Sequence, residues 1–124
     1  MSQEITVEAV RLALGLQQLR AEVASNNIAR ANLPGFQPQR LEMGNAQAIL
    51  RQAASAGPAG FQQLASLSAA GIAPVVADGS AAAAQPDVQV AEMVAASLDY
   101  QALAESLNRH FGLMRLAVTG RSGA

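Results

Sequence analysis

Apolar positions recur along the first part of the chain at alternating spacings of four and three: Ile5, Ala9, Leu12, Leu16, Leu19, Val23, and then Asn26. Such spacing marks one face of a helix that lies along another helix. It predicts a helix from about Gln3 to Ala31, with Ser2 as its N-cap and Glu4 in the first turn, where the helix dipole favours a carboxylate. The stop is equally well specified. Leu33 precedes Pro34 and is biased away from helical geometry. Gly35 can take the positive φ that a type II turn over Leu33-Pro34-Gly35-Phe36 requires. Asn32 suits a left-handed helix end.

A second seam follows near the other end: Val90, Met93, Ser97, Tyr100, Ala104, Leu107, Phe111, Met114 and Val118, broadened by Val94, Leu98, Leu103 and Leu116. It predicts a helix from Pro86 to about Thr119. Pro86 and Asp87 fit its first turn, Arg109, Arg115 and Arg121 its end, and Gly120 its stop. Between the two seams, residues 37–85 are rich in Ala, Gly, Ser and Gln. Short helices are expected at Ala46–Ala54, stopped by Gly57-Pro58, and around Phe61, Leu64 and Leu67. Ala73–Ala77 is expected to be extended, Asp78-Gly79-Ser80 to turn, and the whole stretch to be weakly ordered.

The fold class expected is therefore all-α: two long terminal helices pairing as an antiparallel, coiled-coil-like hairpin, joined by a poorly ordered connector. The parts are residues 1–36, 37–85 and 86–124. The expected seam is Leu12, Leu16, Leu19 and Val23 against Val90, Met93, Tyr100, Leu107, Phe111 and Met114. Two helices leave part of each broad apolar stripe uncovered, which predicts a partner, most simply further copies of the chain.

Composition narrows the function. The 124 residues suit one small domain. Apolar residues make up 51%, yet aromatics only 3%, so helices can approach closely but have few large anchors. Cysteine is absent, which rules out disulfides and thiolate metal sites. All eight basic residues are arginine, net charge is −1, and no basic block points to nucleic acid. The start lacks the positive region of a cleaved secretory signal. The uncharged stretch from Gln52 to Ala77 is long enough to span a bilayer, but two prolines, several glycines and few large aliphatics argue against it.

Catalytic chemistry finds little footing. His110 is the single histidine, and neither Asp99 nor Glu105 stands three or four residues from it. One histidine without cysteine makes no metal-ligand set. The glycines form no phosphate loop, and no lysine is present to reach a phosphate. No enzyme activity, cofactor or metal is expected. Met93 and Met114 read as core fillers, and Tyr100-Gln101 as either a tyrosine packed in the hairpin with its hydroxyl at the rim or an interface hot spot. Asn26 and Asn27 leave two readings open: a solvated helix end, or amides that set packing register because mispairing would leave them unsatisfied.

The stretch Ser25-Asn26-Asn27-Ile28-Ala29-Arg30-Ala31-Asn32-Leu33-Pro34-Gly35-Phe36 resembles the N-terminal signature of bacterial flagellar rod and hook proteins, approximately Asn-Asn-Ile-Ala-Asn-Ala-Asn-Thr-Pro-Gly followed by Tyr or Phe. Asn26, Asn27, Ile28, Ala29, Asn32, Pro34, Gly35 and Phe36 carry the match. Arg30 and Leu33 depart from it, standing where the family usually has asparagine and threonine. Val88–Val94 and Tyr100-Gln101-Ala102 are similar to the family's C-terminal helix. The resemblance covers roughly half the chain. It implies a structural subunit whose terminal helices pair and stack into an axial structure. Its implied partners are copies of itself, neighbouring rod proteins, the ring–rod adaptor and the membrane ring. It implies export through the flagellar type III apparatus without a cleaved signal and residence in the basal body. Within the family, so short a connector points to the proximal rod. The alternative is a stand-alone helical adaptor or chaperone that binds an amphipathic helix of a partner.

Overall fold

The computed structural model describes residues 2–55 and 58–123, with the side chains of residues 2–5, 54, 58 and 121–123 outside that description. The parts expected of Ser2, Glu4, Ile5, Gly57 and Arg121 therefore lie outside the described residues. The elements in order are α1 (Ser2–Ala29), β1 (Gln39–Leu41), α2 (Gly44–Gln52), α3 (Pro58–Ala69), β2 (Val75–Ala77) and α4 (Pro86–Gly123). Short 3₁₀ turns stand at Ala53–Ser55 and Ala82–Ala84.

The two long helices pack closely side by side, as the seams predict, and run antiparallel. Asn27 meets Gln89, and Arg20 reaches both Glu92 and Asp99. Gln17 and Ala21 share a shallow groove with Tyr100 and Gln101. At 1.5 Å per residue α1 is about 42 Å long and α4 about 57 Å. Continuing the same register brings the first turn of α1 beside the region of Met114. The last turns of α4 run past the end of α1. Gly120 does not stop α4, which continues to Gly123. A glycine costs a helix about 1 kcal/mol but ends it only when the chain finds a capping turn there.

The connector departs from expectation. The short helices and the extended piece fall near their predicted places, but together they are folded rather than loosely ordered. β1 and β2 pair antiparallel, with Arg40 opposite Val76 and Leu41 opposite Val75. Flanking backbone bonds from Glu42 N to Pro74 O and from Asp78 N to Pro38 O extend the ribbon at both ends. It closes the connector at its neck. α3 ends in a Schellman turn: Ile72 N donates to Leu67 O at 2.9 Å and Gly71 N to Ser68 O at 3.2 Å. Ile72 has φ +70°, a conformation that costs a β-branched residue on the order of 1–3 kcal/mol. Its side chain packs against the core that contains Leu67, which offsets that cost.

This core also corrects the expected seam. Leu12 and Leu16 are buried, but against Leu41, Ala46, Ala53, Leu64 and Leu67 of the connector, with Leu19 and Val23 packed beside them. The apolar core thus lies between α1 and the connector. On its other side α1 meets α4 through small and polar groups: Ala24 and Ala96 are fully buried and Arg20 clasps across. On α4 the inward face is rotated by one residue from the expected seam. Met93, Leu107 and Met114 do face inward and are half-buried, but Gln89 and Ala96 take the positions expected of Val90 and Ser97. Val90 (43%), Tyr100 and Phe111 are exposed. The physical reason is the packing of small residues. The close approach of Ala24 and Ala96 fixes the rotation of α4, and that rotation carries Val90, Tyr100 and Phe111 toward the rim while Met93, Leu107 and Met114 stay on the inward side. No helix among the described residues is long and apolar enough to cross a membrane.

Candidate functional site

The Asn–Asn…Pro–Gly stretch closes α1 and begins the connector. Arg30 N donates to Asn26 O and Leu33 N to Arg30 O, so the helix unwinds through short turns. Phe36 N then donates to Leu33 O at 3.2 Å, and Gly35 has φ +73°. This is the type II turn read from the residues: proline fixes the first corner, and the second needs a left-handed residue. Leu33, at its tip, is exposed, whereas Phe36 is half-buried. Asn32, Pro34 and Ala29 are exposed and Ile28 is half-buried.

The two asparagines separate. Asn26 is exposed, whereas Asn27 is only 3% exposed. A strict heptad count carries the seam to Asn26, but the face that α1 actually buries runs through Leu16, Val23 and Asn27. Asn27 Nδ2 donates to Gln39 O at 2.8 Å and to Gln89 Oε1 at 3.0 Å. Its Oδ1 accepts from Gln39 N at 3.0 Å. Gln89, 8% exposed, passes the chain of bonds on through Nε2 to Ala83 O at 2.9 Å. Two buried amides therefore bind four segments together: the end of α1, the entry to β1, the 3₁₀ turn Ala82–Ala84 and the first turns of α4. Asn27 mimics a strand neighbour toward Gln39, accepting and donating as a backbone would. Gln89 was not singled out from the sequence. A glutamine one residue before the seam carries no signal until its neighbour on α1 is known.

About two turns toward the N-terminus of α1, Arg20 forms a second tie. It donates through Nε to Glu92, and through Nη1 to Asp99 at 3.1 Å and Gln17 Oε1 at 3.0 Å. The hydrogen bond to Glu92 raises the guanidinium's pKa further above its ordinary value, and partial burial opposes it. Between these ties lies a cleft of about 270 Å³, walled by Arg20, Ala24, Arg40, Asp78, Gln89 and Glu92. The Asp78 carboxyl is held below its usual range, chiefly by the backbone N–H of Ser80, which donates to Oδ1 at 3.0 Å. Arg40 pairs with Glu42 at 3.0 Å. The charged groups of the cleft are thus engaged with one another or with the backbone.

Among the described residues no group of three or more His, Asp or Glu could hold a metal ion. His110 lies on the partly buried side of α4, its Nε2 buried without a hydrogen-bond partner, and its ring is tilted 53° against Phe111 at 6.1 Å. The buried amides of Asn27 and Gln89 tie β1, the 3₁₀ turn and α4 to the end of α1 in one register. Comparison with protein-family models, with curated proteins and with solved structures finds no match.

Proposed function

We propose that this chain is a structural subunit of the bacterial flagellar basal body, a proximal-rod protein of the FlgB type. The observation that carries the reading is the place of Asn27. The stretch that resembles the rod signature folds into a buried amide clasp and a type II turn at the junction of the two terminal helices. A residue type in a family signature needs a job, and here the job is to fix how the connector and α4 leave α1. The exposed apolar strip of α4, including Val90, Val94 and Leu98, supplies surface for neighbouring rod subunits. In this reading the mechanism is assembly through repeated contacts between chains, with export by the flagellar type III apparatus.

The test is genetic and biochemical. In the bacterium that encodes the chain, its deletion should abolish swimming, and purified basal bodies should contain the protein. Leu19→Asp should fail to restore motility, because it sets an unpaired charge in packed apolar surroundings at a cost of several kcal/mol. Normal swimming of the deletion strain would overturn the proposal. So would a protein that is fully helical when dilute and co-purifies with one soluble partner, the behaviour of an adaptor.

A further inference from the structure

The outward face of α4, opposite Ala96 and Leu107, carries a second helical seam that nothing in the chain covers among the described residues. Its positions are Val94, Leu98, Glu105, Arg109, Gly112 and Leu116, spaced by four, seven, four, three and four. Leu98 is 59% and Leu116 66% exposed. Small Ala102 and Gly120 stand at intervening positions of the same face. Glu105 and Arg109, at its centre, form an exposed ion pair at 3.1 Å.

The seam is matched to itself when reversed. Laid antiparallel against a second α4 with the centre near Leu107, Leu98 meets Leu116 and Leu116 meets Leu98. Val94 meets Gly120, and Ala102 meets Gly112, so that small residues on either side of the leucine contacts let the two backbones approach. Glu105 faces the second copy's Arg109 and Arg109 faces its Glu105, so that both charges keep an opposite partner at the contact. A parallel pairing in register would set Glu105 on Glu105 and Arg109 on Arg109. We infer that α4 mediates a two-fold antiparallel dimer of this chain through its outward seam. The occupant is a second copy because the apolar, small and charged positions are each complementary to the same helix inverted. The inference stands apart from the rod reading. A closed two-fold contact covers the apolar ridge without propagating an array.

The measurement is sedimentation equilibrium of the full chain over a concentration series, with helicity followed by circular dichroism. The wild type should approach twice the monomer mass. Leu98→Arg should stay monomeric with unchanged helicity. Glu105→Arg should weaken the dimer about tenfold, since it turns two attractive contacts repulsive. Mixing it with the Arg109→Glu protein should restore the affinity, because every facing pair of charges across the contact is then opposite while the pair within each chain stays like-charged, which an effect inside one chain would not do. Because the chain has no cysteine, an equimolar mixture of Leu98→Cys and Leu116→Cys proteins should form the mixed disulfide dimer in preference to either homodimer. A wild type that remains monomeric throughout the series overturns the inference. So does a mixture of the two charge variants without rescue, or cross-linking of Leu98→Cys mainly to itself. Although Val94 and Leu98 belong to both surfaces, these measurements read association of the purified chain and the rod test reads swimming of the deletion strain, so the dimer and the rod reading fail separately.

Discussion

Replacing Asn27 by alanine isolates the clasp at the end of α1. The side chain makes three hydrogen bonds at 2.8–3.0 Å from a nearly fully buried position. Each contributes about 1 kcal/mol net, a figure that takes in the desolvation of the partner left unpaired. The expected loss is about 3 kcal/mol. With an m-value of about 1.5 kcal/mol per molar, the urea midpoint should fall by about 2 M. Asn26→Ala, one residue away and exposed, should stay within about 0.5 kcal/mol of wild type. Asn27→Asp should cost at least as much as alanine despite equal size. Its second oxygen would face Gln39 O and Gln89 Oε1, and Gln89 cannot turn its NH₂ toward it without setting an oxygen on Ala83 O. A double-mutant cycle of Asn27→Ala with Gln89→Ala should give about 1 kcal/mol of coupling. The reasoning is refuted if Asn27→Ala unfolds within 0.5 kcal/mol of wild type, or if Asn26→Ala costs as much.

Three further outcomes are expected. Gly35→Val should lose about 1–3 kcal/mol in chemical denaturation, because a β-branched residue is strained at φ +73°, whereas Gly35→Asn should be nearly tolerated. Gly60→Ala should lose about 3 kcal/mol by the same measurement, since a Cβ there would lie 2.1 Å from Ala53 O and the backbone of α3 must move away from the 3₁₀ turn. Stability should also fall as pH drops through the acid range of Asp78. Its carboxyl titrates lower folded than unfolded, so its contribution is present above the ordinary carboxylate range and lost as pH falls through the folded value. Asp78→Asn should flatten that limb of a pH–midpoint curve.

The helix pair and the turn after α1 were legible in the residues because each rests on local rules: periodicity for the helices, and Pro-Gly stereochemistry for the turn. Leu12 and Leu16 were correctly read as buried, but their partners were not. Periodicity says that a face is covered and does not say by what, and the covering residues Leu41, Leu64 and Leu67 sit in a stretch whose local signals are weak. The rotation of the α4 seam was hidden for a related reason. Counting apolar residues favours Val90, Tyr100 and Phe111, while close helix approach selects Ala96. The clasp was half legible: the paired amides at Asn26 and Asn27 drew attention to the place, yet the choice of Asn27, and its partner Gln89, depended on a register that only the folded chain defines.

The uneven distribution of adhesive along α1 has a kinetic corollary. Grease joins it to the connector, whereas α4 is held by alanine contacts, two amides, one guanidinium and half-buried Met93, Leu107 and Met114, and Leu113, Leu116 and Val118 near its end stay well exposed. Opening should therefore begin at the C-terminus and travel inward, with α1 and the ribbon module surviving as the final protected unit. In deuterium labelling, amides from Leu113 onward should exchange first, those around Gln89 much later, and those of Leu12–Leu16 last. Simultaneous exchange along both long helices would contradict that order.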